Sequence, residues 1–235
     1  MKFAYLIEPP FNYRDKDGTV TGCDVELARH VFQQLAIDGV EFVETEFAQL
    51  LPGLARGDWQ MTTGLFASED RKQHALFSRP IWALPDGLLV LTADASHIGG
   101  YRSLAQSCDL TVAVIRDQIQ HQTLIEVGVA QNRIHVFETY TDAARAVQDQ
   151  QVDAYASVAR AHVGYVQQQD AQELTVVEVP SCEKPPEVGC FGISTSAIEF
   201  KKHIDQVLDQ FMGSAAHLRL IRGFGFDEED VSLVL

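Results

Sequence analysis

Strand-length apolar runs alternate with amphipathic helical stretches along most of this chain, and that alternation most constrains its fold. Residues 3–7 form a short apolar run bounded by Pro9 and Pro10 and read as a buried strand. A turn at residues 15–18 separates two extended pieces. Asp24 is placed to N-cap a helix whose Val25, Ala28, Val31, Phe32 and Leu35 share one face. Residues 40–45 alternate apolar and acidic side chains like a strand. Residues 48–56 read as a short helix with Leu50, Leu51 and Leu54 inward, ended by Gly57. Residues 60–63 read as a strand again. Strand, helix, strand, helix, strand predicts a parallel sheet with right-handed crossovers.

Residues 87–91 read as a strand leading into a polar, Gly-rich loop at 92–100, where a domain boundary is expected. A second α/β unit follows. Its strands are expected at 111–115, 133–137, 152–157 and 174–179, and its helices at 118–127, 141–148 and 159–168. Residues 190–194 read as a strand crossing back. Ser196 and Glu199 form a capping-box pattern before a long helix with Phe200, Ile204, Val207, Leu208 and Phe211 on one face. Gly213 ends it, and a shorter helix follows at 215–221. The two α/β halves share an architecture without a visible sequence copy.

The 18 Lys and Arg against 33 Asp and Glu give a net charge of −15, which disfavours nucleic acid and anionic membrane as partners. No apolar run approaches the roughly 18 residues a membrane span needs. Residues 1–7 are too short for a secretory leader, so the chain is expected to be cytosolic or to follow a removed leader. Of the four cysteines, Cys182 and Cys190 flank a Pro-Pro turn and could pair across a hairpin. Buried free thiols are the alternative for these two, and the reading for Cys23 and Cys108. No Cys or His cluster has metal-ligand spacing, so no metal or other cofactor is expected.

The stretch from Gly64 to Arg71 carries the chemistry. A glycine at a strand end lets something approach the backbone closely. Ser68 offers a hydroxyl and Arg71 a two-pronged donor, residue types suited to a carboxylate. With this stretch stand Pro9-Pro10-Phe11-Asn12-Tyr13, Gly18 through Ala28, the Phe47 to Gly57 helix, and Phe77-Ser78. In order and spacing they resemble the solute-binding proteins of ABC importers, of the polar amino-acid type (solute-binding family 3). The resemblance covers essentially the whole chain and is strongest over residues 8–80.

That resemblance implies an α/β, two-lobe periplasmic-binding-protein fold of type II, with parallel or mixed sheets, flanking helices and a two-strand hinge. Lobe one would be residues 1–90 plus 192–235 and lobe two 91–191, with hinge strands near 88–92 and 190–194. Ligand would sit between lobes that close on it. Arg71 would grip a carboxylate, or else pair with Glu69 or Asp70 on the surface. Gly64 and Phe66 would present backbone groups. Ser68 would add its hydroxyl, cap the following turn, or do both. Phe47 would pack on the ligand, or belong to the core. Glu8 stands where the family has an aromatic wall; it would pair with a cationic group, or be a solvated loop acid.

Lobe two departs from the family pattern. Residues 112–119 lack the two hydroxyls expected at the helix start, so Gln118 or Arg116 would substitute. Val158 falls where the family has an acid for the α-ammonium, Asp153 is expected to be structural, and Ser157 is the nearest polar alternative. The expected ligand is therefore a small carboxylate-bearing solute that need not be an α-amino acid. Its expected destination is an ABC permease, with the chain periplasmic and monomeric, binding without chemistry. Two other functions fit the residues: a sensing or orphan binding domain, and an enzyme similar to cyclohexadienyl dehydratases with Glu8 as its acid.

Overall fold

The computed structural model describes all 235 residues. The chain divides into two compact units: Met1–Ala83 with Glu187–Leu235, and Leu84–Pro186.

The first unit opens with β1 (Lys2–Tyr5), the small hairpin β2 (Tyr13–Arg14) and β3 (Val20–Thr21), then α1 (Cys23–Gln34), β4 (Glu41–Glu44), α2 (Leu50–Arg56), β5 (Met61–Phe66), β6 (Leu76–Phe77) and β7 (Trp82–Leu84). The second unit follows with β8 (Asp86–Leu91), α3 (Tyr101–Gln106), β9 (Val112–Ile115), α4 (Ile119–Glu126), β10 (Ile134–Phe137), α5 (Tyr140–Gln148), β11 (Ala154–Val158), α6 (Ala159–Gln169) and β12 (Leu174–Glu178). The chain returns to the first unit through β13 (Glu187–Ile193), α7 (Ile198–Phe211), α8 (Ala215–Arg222) and α9 (Glu229–Ser232).

The first sheet runs β4-β1-β5-β13-β6, with β7 also on β13. β1 pairs parallel with β4 and β5, as the crossover rule requires, while β13 runs antiparallel to β5 and β6. The second sheet runs β10-β9-β11-β8-β12, with β9 parallel to both neighbours and β8 antiparallel to β11 and β12. In each unit the first parallel strand is central and the chain visits one side, then the other. Such a reversal opens a crevice at the carboxyl ends of the strands.

Each sheet has its own core. Phe3 packs on Phe32, Phe42 and Phe191 in the first unit. Leu88, Val90, Tyr101, Leu104, Val112 and Val114 cluster in the second.

Several sequence expectations are corrected. β8 and β13, expected as strands at 87–91 and 190–194, are sheet strands with wider bounds, and the compact units divide at 83/84 and 186/187. Asp24 does not cap α1: Gly22 holds the cap position, and the Pro10 and Phe11 carbonyls accept from the N–H groups of Cys23 and Asp24. The capping box at α7 is absent. Ala197 is its cap, Ser196 meets Ser194, and Glu199 turns to Lys202. All four cysteines are free thiols; Cys108 and Cys182 are exposed rather than buried, and only Cys23 and Cys190 are buried.

Candidate functional site

In the first unit the predicted residues gather at the carboxyl ends of β4, β1 and β5. Glu8 follows β1, Phe47 follows β4, and Phe66 through Arg71 close β5. Three segments distant in sequence meet here because the parallel pairing forces their strand ends together.

Arg71 starts a single 3-10 turn and is 9% exposed. Its Nη1 donates to the Phe66 carbonyl at 3.0 Å, and its Cζ lies 5.2 Å from the centre of the Phe47 ring. The guanidinium is thus held on one edge and stacked on one face, a cation–π arrangement. It is not a surface arginine paired to Glu69, which bonds Lys72 instead. Ser68 Oγ accepts from the Arg71 backbone N–H at 3.3 Å, so the hydroxyl does cap the turn.

Glu8 is no solvated loop acid, being 7% exposed. Its backbone closes a tight loop: the Glu8 carbonyl accepts from the N–H groups of Phe11 and Asn12, and the Glu8 N–H donates to the Asn12 carbonyl. That same loop caps α1 through Pro10 and Phe11.

Gly64 has a different role from the one its position suggests. Its N–H donates to Asp24 Oδ2 at 2.8 Å, and a Cβ here would stand 2.8 Å from Trp82 Cζ2. The close approach that glycine permits is therefore made by Trp82 and Asp24. Asp24 was read from the sequence only as a helix cap, and Asn12, Thr63 and Trp82 were not read as site residues, yet the four form a buried network. Asp24 Oδ2 also accepts from Thr63 Oγ1 at 2.7 Å, and Oδ1 from Trp82 Nε1 at 3.0 Å. Asn12 Nδ2 donates to Thr63 Oγ1 at 2.7 Å. Burial pushes the Asp24 carboxyl up, and the hydrogen bonds from Thr63, Gly64 and Trp82 only partly offset it. The missed signal was an acid at a helix start whose cap is supplied by another loop.

In the second unit Gln118 and Ser157 meet at the equivalent edge. Gln118 occupies the N-cap position of α4 after β9 without a side-chain cap, Ser157 lies near the end of β11, and Ser157 Oγ donates to Gln118 Oε1 at 3.4 Å. Both are buried. Arg116 does not join them: its guanidinium is half-exposed and engaged by Glu138, with Nε and Nη2 at 2.8 and 2.6 Å from Oε1. Asp117 takes a left-handed φ of 62°, a turn that suits Asp or Gly. Val158 lies on β11 opposite Asp86, and Asp153 is structural, accepting from the N–H and hydroxyl of Thr111. A second polar group unseen in the sequence surrounds Asp86. Tyr101 Oη donates to it at 2.6 Å, Gln120 Nε2 at 2.7 Å, and Lys184 Nζ lies at 3.5 Å.

Two α/β units, each with polar side chains gathered at the carboxyl ends of its parallel strands, define a protein built to bind a small solute. The chain belongs to the bacterial extracellular solute-binding proteins, family 3, whose family pattern matches residues 2–224. A probable amino-acid ABC transporter periplasmic-binding protein of Sinorhizobium fredii is 25% identical, over 98% of this chain and 78% of its own length. The crystal structure of EhuB in complex with hydroxyectoine superposes with a TM-score of 0.87 at 21% identity, covering 99% of this chain and 90% of that one. An ancestral arginine-binding protein bound to glutamine gives 0.84 at 20% identity, covering 95% and 96%. At these identities the two structures attest the fold. Family membership makes this a solute-binding protein rather than an enzyme.

Proposed function

We propose that this chain binds a small zwitterion outside the cytoplasmic membrane, as a monomer, and delivers it to an ABC importer. Arg71 holds the carboxylate and Glu8 the cationic group, with Phe47 and Phe66 as apolar walls. Ser68 completes the anion side. Gln118 and Ser157 are a neutral hydrogen-bonding pair proposed for solute binding within the second unit. The observation that carries this reading is the buried Arg71, stacked on Phe47 and anchored to Phe66, at the same sheet edge as the buried Glu8. A planar guanidinium fork matches the geometry of a carboxylate. Import is proposed on the strength of the Sinorhizobium relative's name.

The ligand need not be an α-amino acid, because by the sequence resemblance Val158 stands where the family pattern has an acid for the ammonium. Hydroxyectoine, a cyclic zwitterion held by EhuB, and glutamine, held by the ancestral protein, are the first two candidates. Isothermal titration and thermal shift with each test the reading. A concentration-dependent rise in Tm is expected for at least one. Arg71→Ala should weaken that binding by about a hundredfold, from loss of two charge-assisted hydrogen bonds. An affinity unchanged by this substitution would show that Arg71 does not hold the ligand.

A further inference from the structure

We propose that the buried Asn12–Thr63–Asp24–Trp82 network sets the spacing between Glu8 and Arg71, and so decides which zwitterions the chain accepts. This rests on the reading of Glu8 and Arg71 as partners of the cation and the anion, and makes Thr63 and Asp24 positioning residues for selectivity.

The network joins the two charged groups without a gap. On the Glu8 side, the Glu8–Asn12 loop is closed by its own backbone bonds, and the Asn12 side chain bonds Thr63 Oγ1. The same loop accepts the first N–H groups of α1, the helix that carries Asp24. Thr63 Oγ1 meets Asp24, and Asp24 also takes the Gly64 N–H and the Trp82 indole N–H. On the Arg71 side, the Trp82 ring lies 5.6 Å from the Phe66 ring, edge-on, and 5.4 Å from that of Phe11. Phe66 in turn supplies the carbonyl that anchors Arg71. Every link is thus a hydrogen bond, a covalent step or a ring contact.

The indole also packs closely against two glycines. A Cβ on Gly64 would stand 2.8 Å from Trp82 Cζ2, and one on Gly189 would stand 2.1 Å from Cη2. Asp24 is 1% exposed, and Asn12 and Thr63 are no more exposed than that. A hydrogen-bonded network sealed from water holds its geometry more rigidly than exposed contacts do. Recognition of a charge pair falls steeply with misplacement, so a rigid separation discriminates among zwitterions of different charge spacing.

Three probes test this by isothermal titration at neutral pH: hydroxyectoine, glutamine, and L-arginine, whose side-chain cation lies farther from its carboxylate. Thr63→Val removes the hydroxyl that joins Asn12 to Asp24 and keeps the volume. It should shift the ratio of Kd values between the tightest probe and the next by about tenfold. Thr63→Ser should restore the parent ratio. Trp82→Phe keeps a ring but loses the bond to Asp24, and should shift the ratio in the same direction as Thr63→Val. If Thr63→Val does not fold, Trp82→Phe decides. A common factor on all three affinities, or a lower Tm with unchanged ratios, overturns the proposal while leaving the binding role of Glu8 and Arg71 standing. A parent chain that binds none of the three probes overturns both.

Discussion

Glu8 lies 7% exposed in a loop tied to α1 and to β5, although its flanking sequence reads as an ordinary turn. A carboxylate that deep is costly unless donors or a cation meet it. The proposed recognition gives it the cation side. Glu8→Gln keeps the shape and removes the charge. For the zwitterion that binds best, affinity should fall by about tenfold or more, while a plain dicarboxylate such as glutarate should not lose affinity. Competition titrations of the two ligands measure this, and an unchanged preference would show that Glu8 is not the cation's partner. The residue types at Ser68 and Arg71 were legible in the sequence because they are local to the strand–turn pattern, while Phe47 was singled out by the family resemblance. The role of Gly64 was not legible, since its neighbours Trp82 and Asp24 are 18 and 40 residues away by number.

Among the elements, β5, β13 and β7 form the packing unit beneath the candidate site. Gly189 of β13 sits opposite Phe66 of β5, and the Trp82 indole fills the space its missing side chain leaves. Gly189→Ala should destabilise the fold by about 1–3 kcal/mol through overpacking, since the obstruction is an indole packed against the glycines of two paired strands. Urea unfolding checks this; a midpoint equal to the parent's would mean that the indole can move aside. At α1 and α7 the sequence signals misled for one physical reason. A side chain with capping chemistry caps only when no other group takes the end. Pro10 and Phe11 carbonyls take the start of α1, which leaves Asp24 for Thr63, Gly64 and Trp82.

For the whole molecule, two buried histidines make stability depend on pH. Tyr140 Oη contacts Nδ1 of His162, and Nε2 of that ring donates to the Gly87 carbonyl at 3.2 Å. Burial pushes the His162 pKa down to about 3. In the other unit, His217 accepts from the Gly213 N–H through Nδ1, and its Nε2 has no partner. Burial first, then the nearby charges of Arg79 and His30, lower its pKa to about 4. The unfolded chain protonates both near pH 6.5 and the folded chain does not, so the folded state is favoured above that pH and loses stability below it. The loss approaches about 1.4 kcal/mol per pH unit for each histidine. Unfolding in urea at pH 7.5 and 5.0 should give a clearly lower free energy at the lower pH; equal values would contradict the neutral burial of both rings.

The order of strands and helices, the two α/β units and the residue types proposed to hold an anion at the end of β5 were all determined by the sequence itself. Apolar periodicity and turn chemistry act over a few residues, and crossover handedness then leaves few topologies. Tertiary structure alone decided where the units divide, that Arg116 turns to Glu138, and that Gln118 finds Ser157. It alone joined the Glu8 loop to Arg71 through Asn12, Thr63, Asp24 and Trp82. Those pairings depend on which strand ends are brought side by side, and no local pattern encodes a partner on another strand. The stretch from Gly64 to Arg71 was readable as a candidate anion grip; the hydrogen bonds and ring contacts that link it to the Glu8 loop were not.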